Sequence, residues 1–403
     1  MDDMNFFGYD NCFNGGYLFK KDIIKLSNQA IYLSKNMDGK TSDEELKKKF
    51  KKRFELALSN KNLKKFIDEL AMKNLLMGRA NGYLISKLSP LYCKKLSNKY
   101  EKEKIKEANY AGICYKDKPE DLFADLRLCS SLVDTSELHS LCKRINKIKG
   151  IIVPHSNIEF SGQCAAWAYK AIAENSLPDL FIILGIDHFD LMRNSNSVLL
   201  KDFRTPLGII KVDKDFGRML ARNCDFNVFD DSGVFLTEHS IELQLPFLQY
   251  VSWQDKENIR ILPVLCKRKM WNSKESTDEQ ERFINVLKKT IIESGRRTIV
   301  IASGDLVHES LWKPSPVFHK KNKEMINLLK TGKAFEFKQG ISSKSYASCG
   351  KMQFYTLLKL LEPSKGVLLN YSWTSNSKFV DKNRAKSMYE NLTNIGYASM
   401  VFY

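Results

Sequence analysis

Leu180-Phe181-Ile182-Ile183-Leu184 runs through Gly185-Ile186-Asp187 to His188. A run this short, rich in isoleucine and closed by glycine, reads as a buried strand rather than a helix. Two other stretches repeat the pattern. Gly150-Ile151-Ile152-Val153 leads into Pro154-His155, and Thr298-Ile299-Val300-Ile301-Ala302 leads through Ser303-Gly304-Asp305 to His308. Three of the six histidines therefore follow directly on strand-like segments. In open α/β sheets ligands bind beyond the carboxyl ends of the strands, where several chain segments converge. If the three runs are parallel neighbours, the imidazoles and Asp305 share one rim, a pattern that suits a metal or acid–base site.

Outward from these runs, strand-like and helix-like segments alternate from about residue 106. Gly162 to Glu174, Lys214 to Arg222, Glu279 to Glu293, Asn322 to Leu329 and Lys351 to Leu361 read as helices. Glu120 to Ile148 read as helix with a break near 130–136. Ile259 to Leu265 and Tyr397 to Tyr403 read as further strands. Val198-Leu199-Leu200 and Ile209-Ile210-Lys211-Val212 flank a turn-like joint at 204–208. Thr237 is a candidate cap for a helix through Leu245, kinked or shifted by Pro246. The alternation predicts an α/β fold, a mostly parallel central sheet flanked by helices, over residues 105–403.

Residues 1–104 read differently, as a basic, mainly helical extension. Ser42-Asp43-Glu44-Glu45 fits a capping box, and Leu46, Phe50, Phe54, Ala57 and Leu58 follow in helical rhythm. Leu63, Phe66, Ile67 and Leu70 begin a second helical pattern, and Gly78 and Gly82 bracket a turn. This segment carries 22 Lys/Arg against 13 Asp/Glu, so +9 of the net +17 falls in the first quarter of the chain. The dense run Lys47 to Arg53 lacks an RNA-binding aromatic signature, so a solvated basic face is expected and nucleic acid is not the expected partner. The chain is 43% hydrophobic and 28% charged, ordinary for a soluble globular protein. No apolar stretch approaches the roughly 20 residues that span a bilayer. With no signal peptide and nine scattered cysteines without a CxxC pair, a cytoplasmic protein with reduced thiols is expected.

The sequence lacks zinc-finger, HExxH, Walker A, GxGxxG and GxSxG patterns, so any site is assembled from distant segments. Taken singly, His155 and His188 would each more often be structural loop histidines than metal ligands; together, at equivalent strand ends, they favour a site. Asp305 and His308 fit either a supporting acid–base pair or a helix cap with its first turn. His239 reads as a pocket residue or an ordinary buried one. Cys349 precedes a helix, which favours thiolate, yet an inert buried cysteine is the commoner case.

These motifs, in this order, resemble the Memo family, proteins linked to cell motility whose fold is like that of class III extradiol ring-cleaving dioxygenases. The likeness runs from about Lys106 to Tyr403. It rests on Glu107 to Tyr115, Ile152 to His155 with Ser161-Gly162, and Phe181 to Gly185 with His188. Arg204 to Leu207, Glu238 to Glu242 with Leu245-Pro246, Ile261 to Leu265, Ser303 with Asp305 and His308, and Cys349-Gly350 complete it. The resemblance implies His155, His188 and Cys349 as metal ligands, with Asp305, His308 and His239 lining the pocket. Iron, copper or zinc suits two imidazoles and a thiolate. It further implies either a non-haem, metal-dependent oxidoreductase or a non-catalytic scaffold for a signalling or cytoskeletal partner. Oligomeric state is not read from the sequence. Several positions depart from the family pattern: Ser156-Asn157-Ile158 replaces Ala-Gly-aromatic, Phe189 replaces a histidine, Gly304 replaces a serine and Cys114 stands where a tryptophan is expected. Residues 1–104 have no counterpart in the compact family core.

Overall fold

The computed structural model describes residues 32–33, 42–65 and 103–403, apart from 144, 146, 176, 189–190, 237, 256–257, 269–270, 272, 310–313, 343–345 and 379–393. The chain divides into two units, residues 1–102 and 103–403.

In the second unit the apolar runs form the middle of one sheet. Strands β2 (Gly150–Val153), β3 (Leu180–Ile186), β6 (Gly208–Val212), β7 (Arg260–Cys266) and β8 (Thr298–Ser303) are parallel, in the order β6-β7-β3-β8-β2. All seven residues of β3 are buried, as a parallel strand covered on both faces requires. Each fully buried Ile or Leu contributes about 2 kcal/mol. Antiparallel strands extend both sides: β11 (Asn394–Phe402) and β10 (Gly366–Trp373) beyond β2, and β5 (Asp202–Thr205) beyond β6. Short β1 (Ile105–Lys106), β4 (Asn196–Val198) and β9 (His308–Glu309) pair with β5, β7 and β11. The closing strand is longer than its sequence pattern suggests, and all nine of its residues are buried. Polar–apolar alternation is weak there because both faces are covered.

Helices flank this sheet. The apolar stripe of Lys351–Leu361 packs Met352, Phe354, Leu357 and Leu358 into the core formed with Ile152, Ile182, Leu184, Val300 and Ala302. Ile158–Glu174 follows β2 and packs on β10 and β11, its Cys164 meeting Tyr397. Pro119–Ser131 and Thr135–Cys142 form the broken helix, interrupted at 132–134 and ending at Cys142 rather than Ile148; the second part is capped by Asp134, whose carboxylate accepts from the Ser136 and Glu137 backbone N–H groups.

Three local expectations change. No helix runs from 238 to 245: Glu242–Gln244 is a 3₁₀ turn and an α-helix begins at Leu245, with Pro246 in its first turn, where a missing N–H costs nothing. Nor does a helix follow Asp305, since His308–Glu309 is a strand. In the first unit, Ser42 caps Asp43–Phe54 by accepting from the Glu45 backbone N–H at 3.2 Å. That helix stops at Phe54, because Glu55 adopts a left-handed conformation, rather than continuing through Leu58. Leu63 lies in a helical stretch at 60–65. The pattern from Phe66 to Leu70 and the turn at Gly78 and Gly82 lie outside the described residues. Phe189 and Thr237 do too.

Candidate metal centre

Because β3, β8 and β2 are adjacent and parallel, the residues that follow them emerge on one rim. His155 follows β2, His188 follows β3 and Asp305 follows β8. Nitrogens of His155, His188 and His239 lie within 4.8 Å of one another, and so do ligand atoms of His155, Asp305 and Cys349. His155 belongs to both clusters. Its Nε2 lies 3.1 Å from Cys349 Sγ, and its ring centre is 5.0 Å from that of His188. His188 and His239 stack at 4.5 Å with planes only 18° apart. His308 completes the set through its electrostatic contact with Asp305, His155 and His188. The other two histidines stand apart: His139 pairs with Glu174 at 3.0 Å, and His319 bonds the Tyr371 hydroxyl at 3.1 Å.

Asp305 is not a helix cap. Its Oδ1 accepts the His155 backbone N–H at 3.0 Å and its Oδ2 accepts the Ser156 hydroxyl at 2.9 Å. Ser156, one of the departures from the family pattern, thus supplies a donor to this carboxylate. The Asp305 backbone N–H donates to Cys349 Sγ at 3.3 Å.

A pair of glycines permits that approach. A Cβ on Gly304 would sit 2.5 Å from the Gly350 Cα, and one on Gly350 would sit 2.2 Å from the Phe354 ring. With neither side chain present, the Cys349–Gly350 turn closes over the end of β8. Gly304→Ser, which restores the family residue, is expected to push this turn away and destabilise the protein by about 1–3 kcal/mol, the usual cost of overpacking. Urea denaturation checks this; an unchanged midpoint would show that the turn yields freely.

Burial governs protonation here. His155 is pushed down to about 3 by burial and then by neighbouring His188. It is neutral at pH 7, so its 3.9 Å separation from Asp305 is not an ion pair. His308 is pushed down to about 4, mainly by burial, and burial also drives His239 well below the imidazole range. The Cys349 thiol is pushed well up, first by burial and then by Asp305. Burial alone would raise Glu238, but the histidines at 188 and 239 and its hydrogen bonds pull it well below the carboxylate range.

Sequence reasoning missed the supports behind these rings. Glu238 Oε1 lies 2.9 Å from His188 Nδ1, and its two oxygens accept the backbone N–H groups of His188, His239 and Ser240. Ser303 Oγ lies 3.2 Å from His155 Nδ1 and also touches Gln244 Nε2 and the Ser240 carbonyl. Only the position of Ser303 at a strand end, and that of Glu238 beside a histidine, were available as signals. Among the described residues the cysteines are free thiols, and no helix is long and apolar enough to cross a membrane.

Imidazoles beside a thiol, those of His155 and His188 braced by further hydrogen bonds, can hold a transition metal. Comparison with known proteins places the chain in a family. A family model described as Memo-like protein matches residues 106–401. A MEMO1 family protein of Methanopyrus kandleri is 31% identical over 258 residues, covering 63% of this chain and 83% of the relative. One from Pyrobaculum aerophilum is 28% identical over 305 residues, covering 74% of this chain and 99% of the relative. One from Aquifex aeolicus is 26% identical over 387 residues, covering 93% of this chain and 91% of the relative. The last alignment leaves 7% of 403 residues, about 28, unmatched. That alignment therefore reaches into residues 1–104, whereas the family model begins at residue 106. With the family match spanning nearly all of the α/β unit, the chain belongs to the Memo family.

Proposed function

We propose that this protein binds iron or copper through His155, His188 and Cys349 and uses the metal for redox work in a dioxygenase-like pocket. The observation that carries this reading is the 3.1 Å approach of His155 Nε2 to Cys349 Sγ, with His188 beside them. Metal–nitrogen and metal–sulfur bonds of about 2.0 and 2.3 Å, set at a tetrahedral angle, separate the two ligand atoms by roughly 3.5 Å. The donors fit after a shift of a few tenths of an ångström. Zinc suits the same set without supplying redox chemistry.

A redox metal bound there would supply one-electron chemistry toward oxygen species. The chain's own residues hold the ligands and handle protons. Asp305 fixes the backbone of His155. His308 Nε2 is buried and has no hydrogen-bond partner among the described residues, so it is placed to hold or deliver a proton at a bound ligand, alongside His239 and Asp305. Residues 1–104 are read as a separate basic extension. A cytoplasmic role in motility or cytoskeletal signalling belongs to the same proposal through the family likeness.

Anaerobic purification followed by metal analysis by mass spectrometry tests it. The wild type should carry near-stoichiometric iron or copper, and His188→Ala should lose at least about nine-tenths of it. Equal metal content in the two proteins would sink the proposal.

A further inference from the structure

Both proposed imidazole ligands are braced by one short segment, residues 238–244. Glu238 reaches His188 Nδ1 directly, at 2.9 Å from Oε1 and 3.1 Å from Oε2. A carboxylate only accepts, so the nitrogen facing it carries a proton. The brace on His155 is indirect and follows from counting hydrogens. Gln244 Nε2 lies 3.0 Å from the Pro154 carbonyl, which only accepts, and Gln244 Oε1 receives the Tyr169 hydroxyl at 2.8 Å. The amide orientation is thereby fixed. Its nitrogen donates to Ser303 Oγ at 2.8 Å. The single Ser303 hydrogen goes to the Ser240 carbonyl at 2.5 Å, another group that only accepts. The remaining Ser303 contact, His155 Nδ1 at 3.2 Å, must then come from a protonated ring nitrogen.

We infer that the 238–244 segment sets both rings as Nδ1–H tautomers before any metal arrives, leaving the Nε2 lone pairs of His155 and His188 directed into the pocket. Glu238, Ser240 and Gln244 are then positioning residues, with Ser303 as relay. Four groups on two chain segments cooperate: Glu238 acts on one ring, while the Ser240 carbonyl and the Gln244 amide act through Ser303 on the other. Ser240 also fixes the end of β3, its hydroxyl accepting the Ile186 backbone N–H at 3.0 Å. One turn therefore couples the orientation of two ligands that lie on separate strands. The inference deepens the metal-site reading and rests on it for its purpose, but not for its test.

That test is two-bond ¹H–¹⁵N correlation on metal-free, ¹⁵N-histidine-labelled full-length protein. At about pH 8.5, above the ordinary imidazole range of about 6.5, each ring reports which nitrogen is bare. His155→Ala and His188→Ala assign the two rings. Both should show a protonated Nδ1 and a bare Nε2. A proton on Nε2 of either ring, alone or with one on Nδ1, overturns the inference. Glu238→Gln should change the pattern of His188 and leave His155 alone, whereas Ser303→Ala should do the reverse. A folded variant that leaves its own ring unchanged also overturns it. Should a variant fail to fold, the wild-type spectrum decides. Wild-type protein with both predicted tautomers but no capacity for iron or copper would refute the metal-site reading and leave this inference standing. Metal-loaded protein with a reversed tautomer in its metal-free form would do the opposite.

Discussion

Cys349→Ser should reduce the affinity for iron or copper at least about 100-fold. Loss of groups that merely brace metal ligands already costs about 10–100-fold, and here a thiolate is replaced by a hydroxyl that stays protonated. Burial and Asp305 hold the free thiol protonated, so metal binding at Cys349 must expel that proton. Serine has no comparable acidity to offer. The substitution is mild for the fold: a hydroxyl there still faces the Asp305 backbone N–H and carbonyl, which contact Sγ at 3.3 and 3.9 Å. Competition with a chelator of known affinity measures the loss, and thermal unfolding of the metal-free variant serves as control. Unchanged affinity would remove Cys349 from the ligand set and leave the cluster of His155, His188 and His239 to carry the metal.

A larger loss of stability is expected from Glu242→Ala. Lys106 and Glu242 form an ion pair in which both side chains are 1% exposed. Glu242 also accepts the backbone N–H groups of Asn109 and Tyr110, at 3.2 and 2.7 Å, and the Tyr115 hydroxyl at 2.8 Å. Truncation strands a buried ammonium together with three donors. Removing one partner of such a pair costs about 3–5 kcal/mol, which in a domain of this size lowers the melting temperature by roughly 10 °C. Lys106→Met should cost less, because Glu242 keeps three hydrogen bonds. Calorimetry checks the order of the two variants; Glu242→Ala within about 1 kcal/mol of wild type would show that water enters and solvates the lysine. The Tyr110 ring lies 5.5 Å from that of His239, so loosening this segment should also disturb the pocket wall.

The strands were legible because runs such as Leu180 to Ile186 are apolar on both faces, short and bounded by glycine or proline. Their adjacency was not, yet it is what brings His155, His188 and Asp305 together. Cys349 carried no local signal: it precedes a helix whose first turn has no side-chain cap, and only likeness to a family pointed to it. The 238–245 segment departs from the helical expectation for a definite reason. Its apolar spacing suits a helix, but the Glu238 carboxylate takes the backbone N–H groups of His239 and Ser240, and a side chain that bonds nearby backbone competes with helical pairing. Glu238, Ser303 and Gln244 bond partners that are distant in sequence, and no periodicity records such contacts.

His155 and Cys349 touch across 194 positions of the chain. Contacts of such long range form late, after the entropy of closing the intervening chain has been overcome. The pair is therefore a sensor of completed folding. A thiol reagent that reaches Cys349, which is 4% exposed, reports an opening of the α/β unit at this rim. The rate of that labelling measures how often the opening occurs.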